Sequence, residues 1–130
     1  MQVNSQVVRT YKDIDFNFTK TGTKDILVLT QENAVRQSLR NLILTNYQER
    51  PFQPYLGCNI TRNLFENGHP ALALELRNSI QETIENNEPR VNLINTKVAL
   101  SDHKITVEII VRIVNVPNEI TVDIDLERLR

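Results

Sequence analysis

The sequence predicts an α+β fold: an N-terminal extended segment, two to three helices, and then a C-terminal three-stranded antiparallel sheet. Three observations carry the prediction. Apolar residues recur at helical spacing between about residues 30 and 86, they alternate with polar residues from about residue 98 onward, and the period changes at Glu88-Pro89-Arg90. Proline has no backbone donor and its ring pushes the preceding residue out of the helical region, so a helix arriving at Glu88 must stop there. At 130 residues the chain has the size of one domain, expected to span 1–130. Such a chain can bury roughly two-thirds of its unfolded surface in one core.

In residues 11–18, Ile14, Phe16 and Phe18 alternate with Asp13, Asp15 and Asn17, the pattern of a strand with one apolar face. Residues 19–24 are expected to form a polar turn or loop. Ile26, Leu27, Val28 and Leu29 are too short a run to separate a strand from a buried lead-in. Thr30 is a good N-cap for a helix reaching about Asn46, because Val35, Leu39, Leu42 and Ile43 fall on one stripe. Residues 47–57 then hold Pro51, Pro54 and Gly57, which rule out a long regular element, while Tyr47, Phe52 and Tyr55 demand burial. An ordered loop is expected.

Asn59 can cap a short helix carrying Ile60, Leu64 and Phe65 that ends at Asn67-Gly68, with Gly68 suited to a left-handed C-terminal position. Pro70 fits the first turn of a third helix, about 70–86, with Leu72, Ala73, Leu76, Ile80 and Ile84 on one stripe. Glu75, Arg77, Gln81, Glu82 and Glu85 fall largely outside that stripe.

Past the corner, Val98 and Leu100 lead to Ser101-Asp102-His103-Lys104, and Ile105, Val107, Ile109, Val111 and Ile113 share one face of the next strand. A two-residue turn at Asp102-His103 pairs Leu100 with Ile105 and Val98 with Val107, and sets Lys97 opposite Glu108. Pro117-Asn118-Glu119 interrupts the pattern before Ile120, Val122, Ile124 and Leu126 alternate with Thr121, Asp123, Asp125 and Glu127. Matching the apolar faces puts even residues opposite odd ones, which suggests a four-residue loop and leaves Arg112 opposite Asp123 or Asp125. One edge of this last strand can lack a partner within the chain and accept a strand from another chain. Its acidic outer row also fits the simpler role of keeping an edge from aggregating.

Composition excludes more than it selects. The balance of 15 basic and 16 acidic residues, net charge −1, contains no long run of one sign, so no footprint for nucleic acid or an anionic membrane is expected. No stretch approaches a membrane span, and the first six residues have neither the basic segment nor the apolar run of a signal peptide. The single cysteine, Cys58, excludes an intrachain disulfide, suits a reducing cytoplasm, and is expected to be a buried apolar group. With His69 and His103 isolated, no nucleophile elbow and no glycine-rich phosphate loop, no catalytic residue, metal site or cofactor is expected. Two carboxylates suffice for glycoside hydrolysis, so a small lysozyme-like peptidoglycan hydrolase stands as the alternative, although the acids fit solvated helix and strand faces. A toxin-like or regulatory binding module is a third reading. The corner itself reads in two ways. It is a helix stop with an internal Glu88–Arg90 ion pair, or it holds Arg90's planar fork for a partner's carboxylate or phosphate.

Asp13-Ile14-Asp15-Phe16, Ala34-Val35-Arg36-Gln37-Ser38-Leu39, Glu49-Arg50 before a proline-rich loop ending at Gly57, and Glu88-Pro89-Arg90-Val91 follow one another in an order that resembles the gene product 25 family. These are baseplate wedge proteins of contractile-tailed phages, with a counterpart in type VI secretion baseplates. Gln48 stands where the family pattern has a glycine. The resemblance implies a structural, non-enzymatic protein of the virion's tail baseplate, assembled in the host cytoplasm, whose partners are other baseplate wedge proteins and the tail sheath protein. It implies that Glu88, Pro89 and Arg90 contact the helical core bundle of neighbouring wedge subunits. It also likens the C-terminal strands, which carry Arg112, Asp123 and Asp125, to the strand-exchange part of sheath subunits, so that these residues join the partner-binding set and the sheet initiates sheath assembly.

Overall fold

The computed structural model describes residues 11–64 and 70–127, and His69, Phe65, the Asn67-Gly68 helix end and the chain termini lie outside them. The element order is β1 (Lys12–Ile14), β2 (Val28–Thr30), α1 (Glu32–Leu44), α2 (Ile60–Asn63), α3 (Pro70–Asn87), β3 (Val91–Ser101), β4 (Lys104–Ile113) and β5 (Glu119–Glu127). The predicted α+β class holds, with a two-stranded sheet before the helices and a three-stranded sheet after them. The chain divides inside α1 into two units, residues 1–37 and 38–130.

In the first unit β1 and β2 pair antiparallel, with Asp13 opposite Leu29 and Ile14 opposite Val28. The expected strand over residues 11–18 stops at Ile14. Asp15 is buried, its carboxylate accepts the backbone N–H groups of Asn17 and Thr19, both at 3.2 Å, and Phe18 takes a positive φ of 52°. A short acidic side chain that satisfies nearby backbone donors competes with a sheet ladder, and here it wins. The Thr19 side chain and those backbone donors hold the Asp15 carboxyl below its usual value against the opposing effect of burial. Ile14, Phe16 and Phe18 therefore do not line one buried face, and all three are exposed. Thr30 is also not an N-cap. It ends β2, Gln31 turns at φ 48° while donating its N–H to the Tyr11 carbonyl, and α1 starts at Glu32. The α1 side chain of Gln37 accepts from the Phe16 N–H and donates to the Ile14 carbonyl, fixing the turn after β1.

In the second unit Leu39 and Ile43 of α1, Ile60 of α2, Leu76, Ile80 and Ile84 of α3, and Val107, Ile109, Ile113, Ile120 and Ile124 of the sheet are fully buried. The α3 stripe forms as its spacing requires, with Pro70 as its first residue, and the helix packs against β3. The sheet order is β3-β4-β5, antiparallel throughout. The first hairpin has the predicted register: Leu100 opposite Ile105, Val98 opposite Val107 and Lys97 opposite Glu108. A bulge at Leu93/Asn95 leaves Ile94 exposed and shifts the inward phase, so that Val91 before it and Thr96 after it both face the core.

The second hairpin differs from expectation. Even residues do oppose odd ones, but residues 114–118 form a five-residue connection and Arg112 stands opposite Glu119, not Asp123 or Asp125. Parity fixes a register only to within steps of two. The turn decides the rest, since the Val116 N–H closes onto the Ile113 carbonyl and Asn115 takes φ 70°, a conformation asparagine tolerates.

The connection between α1 and α2 is ordered, but its aromatic residues are not buried: Phe52 is 98% and Tyr55 90% exposed, and Tyr47 is exposed as well. Backbone hydrogen bonds, not side-chain packing, hold this loop. Asn59 occupies the N-cap position of α2 without a side-chain cap, because its Oδ1 accepts the Tyr47 N–H at 3.1 Å instead. Gly57 has φ 107°, where a Cβ would run into the Thr45 carbonyl, so the residue at this close approach must lack one. Its own carbonyl accepts from the Thr83 hydroxyl of α3 at 3.0 Å.

Candidate functional site

Helix α3 ends where proline dictates. The Glu88 N–H makes the last helical bond to Ile84, and the Val91 N–H closes a turn onto the Glu88 carbonyl with Pro89 and Arg90 at its centre. The Arg90 carbonyl accepts from Val114, which ties the corner to the end of β4. Two hydrogen-bonded anchors thus fix the backbone from which Arg90 projects.

Glu88 is only 4% exposed, and its carboxylate is fully engaged. Arg90 Nε donates to Oε1 at 2.5 Å and Arg90 Nη2 to Oε2 at 2.7 Å, a two-pronged pairing. The Ser38 hydroxyl of α1 donates to Oε2 at 2.7 Å and accepts from Arg90 Nη2 at 2.8 Å. Burial pushes the Glu88 carboxyl up, but the hydrogen bonds from Arg90 and Ser38 and the Arg90 charge outweigh it and hold the group below its usual range. The internal ion pair offered as the simpler reading of the corner is therefore present. It leaves the Arg90 side chain 29% exposed, with Pro89 exposed beside it. Ser38 is the member that the sequence did not single out. Fifty residues separate it from Glu88, and a serine at the border of a helical stripe carries no signal of a partner so far away.

The remaining predicted residues, Arg112, Asp123 and Asp125, lie on the outer face of the sheet. Arg112 Nη2 donates to Glu119 Oε1 at 2.8 Å. Asp125 pairs diagonally with Lys104 at 3.2 Å, and the Thr106 hydroxyl and the Lys104 ammonium hold its carboxyl below the usual value. Asp123 stands directly opposite Glu108, whose own partner is Lys97 at 3.0 Å. Across this row the sheet reads cation, acid, acid, and it stops there. β5 pairs with β4 on one side and with no other described strand, while Ile120, Val122 and Ile124 keep its inner face in the core. Four of its five outward positions, Glu119, Asp123, Asp125 and Glu127, are acidic.

Cys58 is buried, its thiol directed at the Ile43 carbonyl at 3.1 Å, and burial pushes it up to about 11, which suits a structural role. Among the described residues no group of three His, Cys, Asp or Glu side chains could hold a metal ion, and no helix is long and apolar enough to cross a membrane.

Residues 30–125 match the family described as Baseplate wedge protein gp25. A relative of that description from Enterobacteria phage T4 is 29% identical over 118 residues, covering 89% of each chain. Among solved structures, a chain of the six-fold-symmetrised cryo-EM structure of the anti-feeding prophage baseplate superposes with a TM-score of 0.70 at 24% identity, covering 84% of this chain and 90% of that one. A crystal structure of a Geobacter sulfurreducens protein described as a tail lysozyme gives a TM-score of 0.69 at 19% identity, covering 80% and 97%. At these identities the two structures share the fold alone.

Proposed function

The chain belongs to the family of baseplate wedge protein gp25, a family of contractile phage tails, and from that premise we propose that it acts by association rather than turnover. It binds neighbouring wedge subunits through the corner at Pro89 and Arg90, and it initiates the tail sheath by accepting a sheath strand on the outer edge of β5. Its place is the tail baseplate of the virion, assembled in the host cytoplasm, with other wedge proteins and the sheath protein as partners and neither nucleic acid nor membrane among them.

The observation that carries this reading is the outer edge of β5, which pairs with no other described strand. A nine-residue strand with a buried inner face and an outer edge that no other described strand takes offers backbone donors and acceptors to an extended segment. The acidic outer row specifies the visitor further. With Asp123 facing Glu108, an incoming strand stabilises the sheet by placing Lys or Arg beside Asp123 and apolar residues at the alternate, inward positions. At the corner the roles divide. Glu88 is buried, so it holds the Arg90 fork in position, and Arg90 and Pro89 present the exposed surface.

The test is reconstitution of the wedge and of the first sheath ring with purified components. Asp123→Lys, on the outer face of β5, is expected to weaken sheath initiation while leaving wedge binding in place. Arg90→Lys, which keeps the charge but loses the fork, is expected to weaken wedge binding while the fold is retained. Normal assembly by a folded Arg90→Lys variant would refute the role of the corner. The same preparation, incubated with peptidoglycan at high protein concentration, is expected to release no product.

A further inference from the structure

The loop that joins α1 to α2 displays its aromatic residues deliberately. Arg50-Pro51-Phe52-Gln53 is a β-turn closed by the Gln53 N–H on the Arg50 carbonyl, and Gln53-Pro54-Tyr55-Leu56 is a second one closed by the Leu56 N–H on the Gln53 carbonyl, both at 3.1 Å. The turns share Gln53. Each has proline at its second position, where the ring pre-sets φ, and an aromatic residue at its third. The Gln48 N–H bonds the Pro54 carbonyl at 2.8 Å, and the Cys58 N–H bonds the Thr45 carbonyl at 2.9 Å across the loop's base. Phe52 and Tyr55 therefore sit on a braced scaffold with nearly all of their surface in water.

Scattered exposed apolar residues need no explanation, but this pair is not scattered. The chain has only seven Phe and Tyr residues, and two of them stand fully exposed three positions apart on one braced loop. Fixing them in advance removes the ordering cost that usually weakens loop-mediated binding. The charges of the loop are also sorted. The Glu49 carboxylate turns back to accept the Asn46 N–H at 2.8 Å, whereas Arg50, at the first position of the leading turn, is exposed beside the aromatic pair.

We infer that Phe52 and Tyr55 form a preformed double anchor for a protein partner that offers an apolar socket with carboxylates at its rim to meet Arg50. This surface is separate in sequence from the Glu88-Pro89-Arg90 corner and from the β5 edge, and it engages its partner whether or not either of those does. Aromatic anchors filling desolvated pockets, with arginine beside them, dominate the energetics of protein interfaces.

The experiment places the photo-crosslinker benzoylphenylalanine at position 52 or 55, and at Glu82 on the exposed face of α3 as a control, in baseplates assembled from the full set of tail proteins. Cross-linked peptides are read by mass spectrometry. The expected result is one protein segment, the same from both loop positions and absent from the control, that contains apolar residues flanked by Asp or Glu. Phe52→Ala and Tyr55→Ala are each expected to weaken that complex by about 30-fold, and Arg50→Glu to weaken it with an inverted salt dependence. The melting temperature of the free chain should stay unchanged in all three, because none of these side chains is buried. Cross-links only to a second copy of this chain, association of the wild-type chain with phosphatidylcholine–phosphatidylglycerol vesicles that Phe52→Ala abolishes, or no cross-link from either loop position would each overturn the inference.

Discussion

Glu88 shows how one buried acid converts a helix stop into a fixed feature. Its carboxylate is charged in the fold at a pH where it would already be taking up protons in the unfolded chain, so its contribution is complete above about pH 4.5, its ordinary value, and is lost as the pH falls through the lower folded value. Glu88→Gln is expected to cost about 2–3 kcal/mol at pH 7, since it leaves Arg90 without its carboxylate. The difference from wild type should shrink as denaturation midpoints are measured from pH 5 downward. Ser38→Ala removes one donor to Glu88 and one acceptor from Arg90, and a loss of about 1 kcal/mol is expected in the same titration. Cys58 gives a further check at this scale. With its thiol buried and pushed up to about 11, it should react with a disulfide reagent at pH 8 only as fast as the protein opens.

Among the elements, those with long periodic patterns were legible and those decided by a few polar contacts were not. α3 and the β3–β4 hairpin follow from their spacing, because a one-residue slip would turn the whole apolar set of β4 to solvent. Residues 11–18 carry an equally clean alternation, yet Asp15 folds its carboxylate onto two backbone donors and ends the strand. The β4–β5 register slipped for a related reason: the Asn115 turn chose among registers that parity left equal, and it delivered Arg112 to Glu119. In the α1–α2 connection the presence of aromatics suggested burial, whereas tandem proline turns hold Phe52 and Tyr55 outward. Gly57 is what lets that loop close against Thr45. Gly57→Ala, forced into a positive φ with its Cβ at the Thr45 carbonyl, is expected to destabilise the fold by about 2–3 kcal/mol in chemical denaturation.

For the molecule as a whole, the corner and the sheet edge were both visible in the sequence as positions, and the structure supplies what the sequence withheld about their chemistry. The corner is a Ser38–Glu88–Arg90 cluster tied to the end of β4, and the sheet ends on an acidic strand whose far side pairs with no other described strand. Membership of the baseplate wedge family gives that edge its proposed occupant. Backbone amide hydrogen exchange across residues 119–127, measured on the free chain and on the chain bound to sheath protein, tests the claim most directly. In the free chain the amides directed at β4 should be the most strongly protected. With sheath bound, the outward amides should become protected as well, which is the signature of an added strand. If sheath binds and the outward amides of β5 exchange as they do in the free chain, strand addition at this edge is contradicted.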